Sequence, residues 1–286
     1  IKKLIIVDIN IILQKGFERW LKTLGYAEST VRVSVKYVND FFFYLKTNEI
    51  TRLDAIQKKT LQDYYTYLQK RKNKRQEGSL SNNYIASNIN ALKRFNRYLQ
   101  QTGKGNIEID LKLKTETSNT TTILGKDEIN ALYRACENDM YGIRDRAMLS
   151  VFYGCGLRRS EGINLDMEEV MLKQNRIYIK PGKTYRERYV PITGQVKEDI
   201  ENYIYVSRAK ILSFKNKNPR AFFLSVQVKR MHGNSMIERL HRLTTKARIE
   251  KPIGLHTLRH SIATHLLQSG MTLQQVSHFL RHSSLE

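Results

Sequence analysis

Two short stretches of the chain, residues 154–161 and residues 255–260, decide how the sequence is interpreted. The first is Gly154-Cys155-Gly156-Leu157-Arg158-Arg159-Ser160-Glu161, and the second is Leu255-His256-Thr257-Leu258-Arg259-His260. Glycines ahead of the arginines in the first stretch predict a break between two helices. In the second stretch His256 and Arg259 are three residues apart, so on a helix they share one face.

Two further segments stand out. Residues 176–180 and 188–192 are predicted to form a small β-hairpin, with Pro181-Gly182-Lys183-Thr184-Tyr185 between the two strands. The segment Leu280-Arg281-His282-Ser283-Ser284 follows the next predicted helix. Taken singly, an arginine after a turn, a hairpin lysine or a histidine is more often a structural or solvated side chain than a functional one.

Taken together, the four segments meet one chemical demand. Transesterification at a phosphodiester places negative charge on two non-bridging oxygens, and a site without metal needs fixed cations and hydrogen-bond donors there. Arg158 and Arg259 can hold such oxygens bidentately, and His256 and His282 can add donors. Lys183 can serve as general acid to the departing sugar oxygen. The pattern therefore calls for no cofactor and no metal.

This ordered set resembles the catalytic domain of tyrosine recombinases, the phage lambda integrase-like family, over residue 123 to the end. The nearest likeness is to Xer-like and conjugative-transposon integrases. The resemblance implies that Arg158 is the first catalytic arginine and Glu161 the acidic residue that supports it. It also implies that Lys183 is the hairpin lysine, that His256 and Arg259 form the histidine–arginine pair, and that His282 is the last histidine.

The resemblance also implies a mechanism and an assembly. A tyrosine attacks the phosphate and forms a 3′-phosphotyrosyl link, which conserves the bond energy and requires no ATP. Four protomers pair two sites on double-stranded DNA, each C-terminal tail docks on a neighbour, and accessory DNA-bending proteins can take part.

The expected nucleophile lies one short helix beyond His282. The last tyrosine of this sequence is Tyr205, and the sequence stops at Glu286. We therefore expect the catalytic domain to be C-terminally incomplete and the chain, as it stands, to be inactive in cleavage. A smaller departure is Arg281, where the family usually has glycine.

The charge of the chain predicts a polyanionic partner. Lys plus Arg number 49 against 27 Asp plus Glu, a net charge of +22, which favours nucleic acid first and an anionic membrane surface second. The longest apolar stretches are too short to span a membrane. Cys136 and Cys155 cannot form a disulfide framework, and we read them as buried residues in a reducing cytoplasm.

Helical periodicity organises the N-terminal part of the chain. From residue 14 to residue 103, apolar residues recur at helical spacing in four blocks, which predicts a compact four-helix unit. The predicted fold is mainly α: a core-binding domain at residues 1–103, a linker at 104–122, and a helix-rich catalytic domain with a small β-hairpin at 123–286. We expect the two domains to close as a clamp around duplex DNA.

Other interpretations stay open at this point. Residues 257–268 and 272–280, with Gly270 between them, also predict a helix-turn-helix in a non-catalytic DNA-binding protein. A type IB topoisomerase uses the same chemical groups without pairing two sites. A metal site at His256, His260 and His265 is disfavoured because an arginine lies among them. A mobile-element integrase and a chromosome-dimer resolvase both fit, and the Ile-, Asn-, Lys- and Tyr-rich composition slightly favours the mobile element.

Overall fold

The computed structural model describes residues 6–73, 77–111, 122–182, 187–215 and 217–280, with side chains from residue 11 onward. The chain divides into two compact units, Ile1–Asn119 and Thr120–Glu286. None of the helices within the described ranges is long and apolar enough to cross a membrane.

Unit 1 is built from four α-helices, as the periodicity predicts. They are α1 (Ile6–Thr23), α2 (Glu28–Thr47), α3 (Lys58–Lys70) and α4 (Asn82–Gln101), with a 3₁₀ turn at Leu53–Ala55. The ends of the helices follow local chemistry. Gly25 adopts a positive φ of 74° directly after α1, and the Ser81 hydroxyl caps α4 by accepting the Tyr84 N–H at 3.2 Å.

Aromatic side chains fill the core of unit 1. Phe95 on α4 packs edge-on against Phe17 of α1 and Phe42 of α2, with ring centroids 5.3 and 5.5 Å apart. The core also takes in Ile107 and Leu111, which are 2% and 8% exposed. The first residues of the predicted linker therefore pack onto unit 1, because burying these two apolar side chains stabilises the folded chain.

Unit 2 contains the remaining α-helices of the described chain and a small sheet. The helices are α5 (Lys126–Arg134), α6 (Met140–Leu149), α7 (Arg159–Asn164), α8 (Gly194–Asn202), α9 (Ala209–Leu212), α10 (Gly233–Lys246), α11 (Leu255–Gln268) and α12 (Leu273–Leu280). Two π-helical segments, Ser150–Gly154 and Tyr203–Arg208, continue α6 and α8, and 3₁₀ turns lie at Met167–Glu169 and Leu172–Gln174. The mainly helical fold class is confirmed.

The sheet has three antiparallel strands in the order β1 (Val170–Met171), β2 (Arg176–Ile179) and β3 (Arg188–Pro191). The hairpin of β2 and β3 matches the predicted one, with Ile177 opposite Val190 in the register, and β1 adds a short edge strand that the sequence pattern did not predict. The predicted hairpin lysine, Lys183, lies outside the described residues.

A sharp turn connects the first π-helical segment to α7 and places the start of that helix. Gly156 in this turn adopts a φ of 59°, and a Cβ there would lie 2.5 Å from Leu280 Cδ2. Any other residue would therefore have a strained backbone and would crowd the Leu280 side chain at the end of α12. The close approach brings the start of α7, the end of α12 and the middle of α11 into one region.

The aromatic core of unit 1 leads to a stability prediction. We expect Phe95→Ala, at a fully buried position, to lower the free energy of unfolding by about 3–5 kcal/mol, because it leaves a cavity among packed rings. Phe43→Ala, on a side chain that is 68% exposed, should change it by no more than about 0.5 kcal/mol. Urea unfolding followed by circular dichroism measures both. Equal losses would contradict the packing described.

Candidate functional site

The carboxylate of Glu161 holds Arg158 at the start of α7. The backbone N–H of Arg158 donates to Glu161 Oε2 at 2.8 Å and its guanidinium Nη1 donates to Glu161 Oε1 at 2.9 Å. The Glu161 side chain is 1% exposed, whereas that of Arg158 is 23% exposed. The buried acid therefore fixes the arginine while part of the guanidinium remains accessible.

Arg188 grips the same carboxylate from the first residue of β3. Its Nη1 and Nη2 donate to the two oxygens of Glu161 at 2.8 and 2.7 Å, and its side chain is 4% exposed. Arg188 is not among the site residues that the sequence predicts. The available signal was strand alternation, because Arg188 falls on the same side of β3 as the buried Val190.

The two arginines keep the Glu161 carboxylate ionised. Burial by itself raises the pKa of Glu161, but the hydrogen bonds and charge of Arg188, followed by those of Arg158, lower it further than burial raises it. The resulting pKa is about 2. At neutral pH the site therefore holds two guanidinium groups against one negative charge.

Arg259 reaches the same region from the middle of α11. Its Nη2 donates to the backbone carbonyl of Leu280 at 2.6 Å, and its Nη1 donates to the carbonyl of Gly156. Burial, and then the charge of Arg158, lower the pKa of Arg259 to about 10. It therefore stays cationic at neutral pH and ties α11 both to the turn before Arg158 and to the end of α12.

His256 lies on the first turn of α11, at the surface of unit 2. Partial burial, and then the positive charges of His260, Arg259, Arg159 and Arg158, lower the pKa of His256 from its usual 6.5. The ring is therefore neutral at pH 7 and can donate one N–H without adding a charge.

The structure thus brings together four of the predicted site residues, namely Arg158, Glu161, His256 and Arg259. Lys183 and His282 lie outside the described residues. Within the described ranges, no group of three or more His, Cys, Asp or Glu residues could hold a metal ion. His265, the third histidine of the metal interpretation, is instead buried and lies 2.9 Å from the Tyr153 hydroxyl through Nδ1.

Comparisons with known proteins bear on this site. A family model described as "Phage integrase family" matches residues 122–286. Among curated proteins, a "Tyrosine recombinase" of Pseudothermotoga lettingae is 31% identical over 96% of this chain and 90% of its own length. "Tyrosine recombinase XerC" of Oceanobacillus iheyensis is 28% identical over 96% of this chain and 89% of its own length.

Solved structures show the same fold at low sequence identity. The Tn1549 transposon integrase in complex with a circular intermediate DNA superposes with a TM-score of 0.72 at 14% identity, over 96% of this chain and 92% of that one. A lambda integrase dimer bound to a COC′ core site gives a TM-score of 0.68 at 14% identity, over 95% and 91% of the two chains.

The low pKa of Glu161 leads to a pH prediction. Its folded-state pKa lies below the usual 4.5, so its stabilisation is complete above about pH 4.5 and is lost as the pH falls towards 2. We expect Glu161→Gln to destabilise the protein at pH 7 by a margin that shrinks across this window. Urea unfolding at pH 7, 5 and 3 measures the margin.

The matched control for this prediction is Glu238→Gln, at an exposed position on α10. Its effect on unfolding should be small at every pH. A Glu161→Gln margin that stayed constant from pH 7 to pH 3 would contradict the assigned ionic role of Glu161.

Proposed function

The chain belongs to the phage integrase family and is a tyrosine-type site-specific DNA recombinase, and we propose that the turn at residues 154–161 and helix α11 form the part of its active site that binds the scissile phosphate. One observation carries the proposal: Arg158 is held by a buried carboxylate beside the buried cation Arg259. Such fixed guanidinium groups suit the two non-bridging oxygens of a phosphodiester.

The cations stabilise charge that grows during the reaction. As the nucleophile adds to phosphorus, negative charge increases on the non-bridging oxygens, and Arg158 and Arg259 meet it without reorganising. The neutral imidazole of His256 donates one further hydrogen bond to these oxygens. Because Glu161 and Arg188 hold Arg158 in place beforehand, little of the binding energy is spent on ordering that side chain.

The remaining roles follow the family resemblance. A tyrosine hydroxyl gives up its proton to solvent as its oxygen bonds to the phosphorus. The bond from phosphorus to the 5′-oxygen breaks, and Lys183 gives its proton to that leaving oxygen. His282 donates to the phosphate. The reverse sequence, with a 5′-hydroxyl from another strand as nucleophile, rejoins the DNA and releases the tyrosine.

Unit 1 supplies a face for the DNA duplex between α2 and α4. None of the 20 residues of α4 is Asp or Glu, and its exposed side carries Lys93 and Arg97 among Ser and Asn residues. A recess of about 330 Å³ separates the two helices and is lined by Ser29, Thr30, Val33, Ser34, Tyr37, Ser87, Asn90 and Arg94. We propose that this basic, amide-rich face contacts phosphates and base edges.

A groove on unit 2 suits the proposed tetramer. It is open, has a volume of about 1060 Å³, and runs between β3 and α12. Tyr189, Pro191, Met271 and Phe279 give it apolar walls, and Glu187, Arg188, Gln274, Gln275 and His278 complete them. We propose that the C-terminal tail of a neighbouring protomer docks here when four protomers pair two DNA sites.

The helix-turn-helix interpretation accounts for less of this geometry. Helices α11 and α12 do flank Gly270, which has a positive φ of 94°. However, Arg259 lies buried and bonded to the carbonyl of Leu280 at the end of α12. Arg259 thereby ties the two helices to the turn at Gly156, next to Arg158, and a helix-turn-helix alone does not account for this link.

A covalent trap tests the proposed function. The protein expressed from its complete reading frame is mixed with nicked duplex from the gene's own flanks and run on a denaturing gel. We expect protein to remain attached to DNA, and Arg158→Ala to reduce the attached fraction by at least about 100-fold, because a transition-state cation is lost. Site binding in a native gel should change by less than about tenfold. Undiminished attachment would reject the role of Arg158.

The general acid is tested by a change of leaving group. Lys183→Ala should slow cleavage of an ordinary phosphodiester, because the departing oxygen then lacks a proton donor. When that bridging oxygen is replaced by sulfur, which leaves without a proton, the variant should cleave at a rate close to that of the unaltered protein. Arg158→Ala serves as the control and should stay slow on the sulfur substrate. A Lys183→Ala variant that sulfur does not rescue would point to another acid.

A further inference from the structure

The guanidinium of Arg159 is seated against the backbone at the start of α10. Its Nη2 donates to Asn234 Oδ1 at 3.3 Å. A Cβ placed on Gly233 would lie 2.5 Å from Ile163 Cδ1, 2.7 Å from Arg159 Nη2 and 3.2 Å from Arg159 Cζ. The missing side chain at Gly233 therefore makes room for the guanidinium, and Arg159 is held at a defined place beside the site.

Arg159, like Arg259, has no carboxylate partner among the described residues, whereas the other arginines close to it in unit 2 form ion pairs. Ion pairs to carboxylates hold Arg158 and Arg188 at Glu161, Arg230 at Asp166 and Arg239 at Asp145. In the part of the chain that the structure describes, no carboxylate lies within 4.0 Å of Arg159, and its buried Nε has no hydrogen-bond partner. Its positive charge is therefore not cancelled by a carboxylate of the described chain and remains available to an anion.

The position of Arg159 relates it to the scissile phosphate. It follows Arg158 directly in the chain, and consecutive Cα atoms are about 3.8 Å apart. The Arg159 charge is also among those that lower the pKa of His256, after burial, His260 and Arg259. The guanidinium is thus near the site, yet anchored separately from Arg158 on α10.

We propose that Arg159 binds a second, non-scissile phosphate of the DNA backbone, next to the phosphate held by Arg158. This inference rests on the proposed DNA recombinase site and adds to it a subsite for one flanking phosphodiester. Contact with a phosphate carries no sequence information but sets the position of the strand. Arg159 would therefore help to register the cleaved strand relative to Arg158 and Arg259.

The salt dependence of binding tests the number of phosphates contacted. Fluorescence anisotropy with a labelled duplex from the gene's own flanks is measured between about 50 and 200 mM salt. We expect Arg159→Ala to lower the slope of log K against log salt by about 0.9, the value for one phosphate. Arg159→Lys should keep most of the slope, because a point charge can still pair with a phosphate.

Lys246→Ala is the matched control for charge. Lys246 lies in the last turn of α10, at the opposite end from Gly233, and pairs with Glu137. This variant removes the same charge and should leave the slope unchanged. A slope that Arg159→Ala also leaves unchanged would overturn the inference, as would an equal decrease in both variants.

A scan of single phosphates locates the contact. In each duplex of a set, one phosphate near the nick is replaced by a neutral methylphosphonate. At one flanking position we expect the neutral replacement to lower the affinity of the unaltered protein by about tenfold, the value of one charged hydrogen bond. At that position it should not lower the affinity of the Arg159→Ala variant any further. If Arg159→Ala is as sensitive as the unaltered protein at every position, Arg159 touches no phosphate and is only a packing residue.

The two proposals fail in different ways. If the scan locates the Arg159 contact but the denaturing gel shows no attached protein, the phosphate subsite stands and the recombinase chemistry assigned to the site fails. If the protein becomes attached but the slope and the scan do not respond to Arg159→Ala, the recombinase site stands and the subsite fails. Absence of any binding to the duplex would overturn both.

Discussion

The buried carboxylate of Glu161 is the interaction on which the candidate site depends. It accepts hydrogen bonds from two guanidinium groups and one backbone N–H, and thereby joins β3 to the start of α7. A carboxylate at 1% exposure is tolerable only because these partners replace its lost water. Removing the Glu161 carboxylate would leave both guanidinium groups without a negative partner and would release Arg158 from its fixed position.

The four arginines at or beside the candidate site differ in the groups that hold them in place. Arg158 and Arg188 depend on a carboxylate, Arg259 depends on two backbone carbonyls, and Arg159 depends on Asn234 and the space above Gly233. Carbonyls and amides orient a guanidinium without cancelling its charge, whereas a carboxylate cancels part of it. The site therefore keeps a net positive charge that suits an anion, although its cations lie close together.

Unit 1 contributes rigidity and a surface. Its core of interlocking aromatic rings packs the four helices together. The outer faces of α2 and α4 can therefore carry residues that suit a partner. The lack of Asp and Glu throughout α4 is consistent with this division, because a carboxylate on that face would repel phosphate. The net charge of +22 of the whole chain likewise favours a polyanionic partner.

Local patterns in the sequence predicted the helices and the β2–β3 hairpin, because helical and strand periodicities and turn residues depend on neighbouring positions. The combined chemistry of the four segments led to the choice of Arg158, His256 and Arg259 as site residues. The family prediction drawn from the order of the four segments is confirmed. Only the tertiary structure decided which distant groups meet. Arg188 lies 27 residues from Glu161, and Arg259 lies 103 residues from the Gly156 carbonyl. The tertiary structure likewise placed Ile107 and Leu111 in the core of unit 1. Such partners follow from how helices and strands pack, and packing depends on surfaces assembled from the whole chain and not on spacing along it.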